Sequence, residues 1–220
     1  MNTNFQTPVI VNPLLASRVL KNTYALLGLL FVASAVTAWF SAGMQLRIGF
    51  FPMLAGLFGF SFLIAKTRNS GWGLVSAFGF SAFLGLITGG NIDFMLANYS
   101  NGGELVTMTF GVTAIAFFGI SAYAMVAKRD FSNMIAMLGV GLIVVVVGFI
   151  ANYFLKMPAF GLALSSLAVM VAMGLMLWQT QRIVNGGETN YIIAATSLLA
   201  NVFMLFNNLL HLMGFAFGDD

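Results

Sequence analysis

The chain has 220 residues, of which 60% are hydrophobic and 7% charged. A soluble domain carries about 25% charged residues, so nine Lys and Arg with six Asp and Glu cannot furnish a solvated coat. Together with a mean hydropathy of +0.97, this excludes a soluble enzyme, a disordered tail and a nucleic-acid binder, and points to a polytopic membrane protein. The absence of cysteine excludes disulfides and thiolate chemistry. A single histidine, His211, excludes a multi-histidine metal site.

Residues 1–21 read as a cytoplasmic N-terminal tail, and 22–220 as one transmembrane domain. Arg18 and Lys21 precede an apolar run longer than the usual core of a signal peptide, with no clear Ala-x-Ala site after it. We read it as an uncleaved first span, Asn22–Met44. The second span is Ile48–Ala65, and the third is Trp72–Leu96, expected to break late at Gly89-Gly90. A long loop, Asn91–Glu104, should follow. The fourth span is Leu105–Ala127 and the fifth Phe131–Leu155. The sixth, Pro158–Val184, opens on a proline, which costs little in a first turn. Tyr191–Phe217 is the seventh. Each is about the length that crosses a bilayer.

Charge sits in the connections and fixes an expected orientation. With the N-terminus inside, inner segments hold Arg18, Lys21, Lys66, Arg68, Lys128, Arg129 and Arg182, against Arg47 and Lys156 outside. That is a positive-inside pattern, and seven spans put the acidic end, Asp219 and Asp220, outside. Gly85-x-x-x-Gly89 matches the small-xxx-small spacing of close helix contacts, serving either bundle packing or a dimer face.

Every charge lies near a span end, unlike the mid-membrane charges of pumps and carriers. Neutral polar groups do enter the spans: Asn152, Gln179 and Gln181, then Asn201, Asn207, Asn208 and His211 along span seven. Asn201, Asn208 and His211 share one face by spacing, and Asn207 neighbours His211 at four residues. An unpartnered amide in hydrocarbon is costly, so span seven should be buried with this stripe toward spans such as six. The stripe serves either interhelical hydrogen bonding or a polar pathway. No HExxH, GxSxG or P-loop motif occurs, so no enzyme activity and no cofactor are expected.

Five stretches then carry a family resemblance. They are Arg18-Val-Leu-Lys-Asn-Thr-Tyr24, Ser121-Ala-Tyr123, Lys128-Arg-Asp-Phe131, Gly186-Gly-Glu-Thr-Asn-Tyr191 and His211-Leu-Met-Gly-Phe215. In order and spacing the chain resembles the Bax inhibitor-1 (transmembrane Bax inhibitor motif) family over nearly its whole length. The resemblance implies an all-α membrane protein with seven transmembrane helices, the seventh central. It is strongest to a bacterial branch of inner-membrane proteins that modulate the AAA membrane protease FtsH. That implies contact with the protease and its associated membrane proteins as a slow substrate and inhibitor, with Met1–Ser17 as the initiation handle.

The family's other activity is a pH-sensitive calcium leak, sensed by two facing aspartates. The matching positions here are Gln179 and Asn201, whose amides cannot titrate. A calcium ion favours carboxylate oxygens, so this departure weighs against conduction and leaves a structural pairing of spans six and seven.

Overall fold

Hydrocarbon offers the backbone no partner, so each apolar run must satisfy its own N–H and C=O groups as a helix. The computed structural model describes residues 13–44, 46, 48–127 and 129–219. It contains α1 (Pro13–Gly43), α2 (Phe50–Thr67), α3 (Gly71–Asn98), α4 (Gly102–Val126), α5 (Met134–Leu155), α6 (Pro158–Val184) and α7 (Tyr191–Phe217). No strand occurs among the described residues. All seven helices are long and apolar enough to cross a membrane. Arg47, Lys128, Asp220 and the first twelve residues of the expected tail lie outside the described residues.

Two boundaries differ from the sequence reading. Helix α1 begins at Pro13, upstream of Asn22, so Arg18 and Lys21 sit on its first turns rather than in a tail. Helix α3 does not break at Gly89-Gly90 but runs on to Asn98, leaving only Tyr99–Asn101 as the connection to α4. The glycines there serve close approach rather than a turn. Met95, beyond them, is buried and keeps the helix engaged.

Helix α7 is the axis. It packs against α1, α2, α3, α4 and α6, and Leu198, Leu199 and Leu205 have no exposed surface. Helices α1, α3, α4 and α6 surround it in that order, while α2 lies outside on α3 and α5 outside on α6. The outlying pair also meet each other through rings. Phe50 stacks on Tyr153 with centroids 5.2 Å apart, and Phe51 lies edge-on to the same ring at 5.3 Å.

The tightest seam joins α1 to α3. Ser81, Gly85 and Gly89 recur every four residues on α3 and so face one way. A Cβ at Gly85 would overlap Thr37 Oγ1 and Ser34 O. One at Gly89 would overlap Ala38 O and sit 2.8 Å from the Ser41 Cβ. The two backbones therefore touch. Ser81 Oγ donates to Leu30 O, and Ser41 Oγ donates to Leu86 O at 2.8 Å. These bonds cross the seam in both directions. The Gly85/Gly89 face is thus used within the bundle and is not free to form a dimer.

Both ends of α7 are tied down. Asn190 caps its start, accepting from Ile192 N at 3.0 Å and Ile193 N at 3.1 Å. The same side chain donates to Arg68 O at 2.9 Å and Asn69 Oδ1 at 3.2 Å, hooking α7 to the α2–α3 turn. At the other end Asn101 Nδ2 donates to Phe217 O at 2.7 Å. Ser100 N and Oγ both donate to Asp219 O at 3.0 Å.

Replacing Gly85 with alanine should cost about 1–3 kcal/mol through overpacking. Gly111→Ala, where nothing lies within 4 Å of the new methyl, should be neutral or stabilising by up to about 1 kcal/mol. Thermal melts in a mild detergent check both. Equal melting temperatures for the two variants would remove the seam from this account.

Candidate functional site

The polar side chains of α7 point in two directions. Toward α6, Asn201 Nδ2 donates to Gln179 Oε1 at 3.1 Å. Gln179 is buried and Asn201 half-buried. A further three turns along, His211 Nδ1 lies 2.9 Å from Ser165 Oγ of α6, with the histidine exposed on its other side. Asn208 Nδ2 donates to Met204 O of its own helix at 2.7 Å, so it stays on this face without bridging.

Toward α3, Asn207 forms a separate network. Its Oδ1 accepts from Asn91 Nδ2 at 2.8 Å. Its Nδ2 donates to Thr88 Oγ1 at 3.1 Å and Phe203 O at 2.8 Å. By spacing Asn207 neighbours His211 along α7; Asn207 bonds to α3 while His211 bonds to α6. A helical offset of four residues rotates by about 40°, enough to divide two side chains between neighbouring helices. The stripe is therefore not one continuous polar lane.

The Gln179–Asn201 pair joins α6 and α7 with a neutral hydrogen bond. Two amides offer both donors and acceptors and need no counter-ion. Neither carries a carboxylate for a hard cation. Among the described residues no group of three or more His, Asp or Glu side chains could hold a metal ion.

Sequence reasoning noted Gln181 only as a polar residue within span six. In the structure it is buried and anchors the α4–α5 turn. Its Oε1 accepts from Phe131 N at 2.8 Å, and its Nε2 donates to Arg129 O. In the same turn, Ser132 Oγ and then Ser132 N donate to Asp130 Oδ1 at 2.6 and 2.8 Å, which holds this exposed carboxyl below its ordinary range. The role of Asn190 was likewise unread, although it lies inside Gly186–Tyr191. The signal available was an Asn just before an apolar helical run, which is a cap pattern.

This geometry can be set beside known proteins. A profile of the family described as Inhibitor of apoptosis-promoting Bax1 matches residues 16–218. The chain belongs to the Bax inhibitor-1 family. It is 40% identical over 203 residues to Modulator of FtsH protease YccA of Escherichia coli K12, covering 92% of each chain. The same identity and coverage hold for Inner membrane protein YccA of another Escherichia coli strain. An uncharacterised protein of Pseudomonas aeruginosa is 38% identical over 205 residues, covering 93% of this chain and 92% of its own. This chain thus spans nearly the whole length of its relatives.

Truncating either amide should cost about 0.5–2 kcal/mol, the range of hydrogen bonds between membrane helices. A double-mutant cycle of Gln179→Ala and Asn201→Ala in thermal melts should show coupling, and strictly additive effects would contradict the pairing. The Gln179→Asp, Asn201→Asp variant should behave differently with pH. Two facing carboxylates raise one pKa. Stability of that variant is then fullest in acid and is lost as pH rises through the raised value. The native α6–α7 contact should show no such dependence, and calcium flux from the native chain in proteoliposomes would contradict the neutral reading of the pair.

Proposed function

We propose that this protein is a non-enzymatic inner-membrane modulator of an FtsH-type membrane protease, acting as a slowly degraded substrate that occupies the enzyme. One observation carries the reading: 40% identity over 92% of both chains to a protein named for that activity. The fold supplies a physical reason why degradation would be slow. A protease that works by extraction must pull helices out of the bundle one after another. Pulling from the N-terminus meets α1 first, and α1 is held to α3 by direct backbone contact at Gly85 and Gly89. The α7 axis is clamped at both ends by Asn190 and Asn101. A substrate that engages readily and unravels reluctantly slows the turnover of others.

In this reading the N-terminus is cytoplasmic and the C-terminus periplasmic, as the bias of basic residues favours. The handle proposed at Met1–Ser17 narrows in one respect. Residues 13–17 already belong to α1, and the rest of the segment lies outside the described residues. The protease's associated membrane proteins would then be neighbours in the same complex, and the lipid bilayer the medium.

The test is co-purification in mild detergent together with cellular half-life. The full-length chain should retain the protease, and removal of residues 1–12 should lengthen its half-life while leaving the fold intact. No association, with an unchanged half-life after trimming, would overturn the proposal. A reporter fused after Asp220 tests the orientation: a periplasmic signal supports it and a cytoplasmic one refutes it.

A further inference from the structure

A second feature borders the amide pair at Asn201 and involves α2. That helix has a single buried residue, Ile64, and leans on α3 while only grazing α7. The gap left between α2 and the axis is a half-open cleft of about 220 Å³. Its walls are Ile64 and Ala65 of α2, Phe80 of α3, and Thr196, Ala200 and Asn201 of α7. Its rim at Ala65 is exposed, so the cleft opens sideways from the bundle.

The chemistry of the walls selects the occupant. Two of the hydroxyls in the cleft are satisfied along their own helices. Thr196 Oγ1 donates to Ile192 O at 2.8 Å, and Ser61 Oγ, on the same rim, donates to Leu57 O at 2.6 Å. The Asn201 amide nitrogen, at the deep end, is engaged by Gln179. Water held in a cavity needs several unsatisfied polar partners, and this cleft presents mainly apolar surface at hydrocarbon depth. A lipid chain fits that demand.

The mouth selects the headgroup. Ala65 is followed directly by Lys66, and the α2–α3 turn carries Arg68, whose carbonyl is tied to the Asn190 cap of α7. Both basic side chains are exposed. The one ion pair among the described residues joins Arg182 to Glu188, so no carboxylate neutralises Lys66 or Arg68. Two uncompensated cations therefore follow the cleft-lining Ile64 and Ala65 within four residues of chain.

We propose that the α2–α3–α7 cleft is a binding site for one anionic phospholipid, with an acyl chain against Phe80 and Ala200 and its phosphate on Lys66 and Arg68. The bound chain completes the packing that α2 lacks. The proposal does not depend on any protease.

Native mass spectrometry of the full-length protein tests it, after equilibration with mixed micelles of equal phosphatidylglycerol and phosphatidylethanolamine. The native chain should retain one lipid with phosphatidylglycerol favoured on the order of tenfold, as two interfacial cations allow. Lys66→Gln with Arg68→Gln, both on the surface, should abolish the headgroup preference. Ala200→Leu, which fills the slot, should lose the retained lipid. Equal retention of both lipids by the native chain would overturn the proposal. So would a headgroup preference that survives the Lys66/Arg68 double variant. If Ala200→Leu does not fold, the surface variant alone decides between these outcomes.

Discussion

Between helices in a bilayer there is little hydrophobic drive, because lipid tails are as apolar as leucine. A bundle must hold itself by close van der Waals contact and internal polar bonds. This protein does both at one seam. Gly85 and Gly89 remove the side chains that would keep α3 away from α1, and Ser81 and Ser41 then reach the opposite backbone. With those two helices joined, α4 and α6 complete the ring in which α7 is buried. Asn201, Asn207, Asn208 and His211 of α7 depend on that enclosure, since each finds its partner on α3, on α6 or on its own backbone.

Much of this was legible in the sequence because hydrocarbon imposes simple rules. Scarce charge and seven apolar runs were enough for the class and the helix count. Gln179 and Asn201 could be paired only through the family resemblance, because nothing in their spacing relates residues on two different helices. Two limits have a common origin in local reasoning. Gly89-Gly90 looked like a break because glycine weakens a helix in isolation, yet packing against Ala38 and Ser41 outweighs that weakness. Asn207 was grouped with His211 by spacing, but the choice between α3 and α6 is set by neighbours that spacing does not reveal. Gln181 was noted as polar, yet its hold on Arg129 and Phe131 spans some fifty positions of chain.

The amide pair is one of the joints that hold the bundle. A hydrogen bond between Gln179 and Asn201 joins α6 to α7 through two amides that neither titrate nor offer a carboxylate to a hard cation. The joint then contributes stiffness alone. Stiffness is the property that a slowly extracted substrate requires. The surface offers a contrast in α2, which is held by rings at one end and by α3 along its length but buries only Ile64.

The central claim is that the α1–α3 seam makes this chain a slow and therefore inhibitory substrate. A reconstituted competition assay addresses it directly. Purified FtsH-type protease in proteoliposomes degrades a second membrane substrate while native chain or a Gly85→Ala, Gly89→Ala variant is present. The account predicts that the native chain slows the second substrate and is itself consumed slowly, while the variant is consumed faster and inhibits less. A variant that is still folded, yet degraded no faster and just as inhibitory, would contradict it.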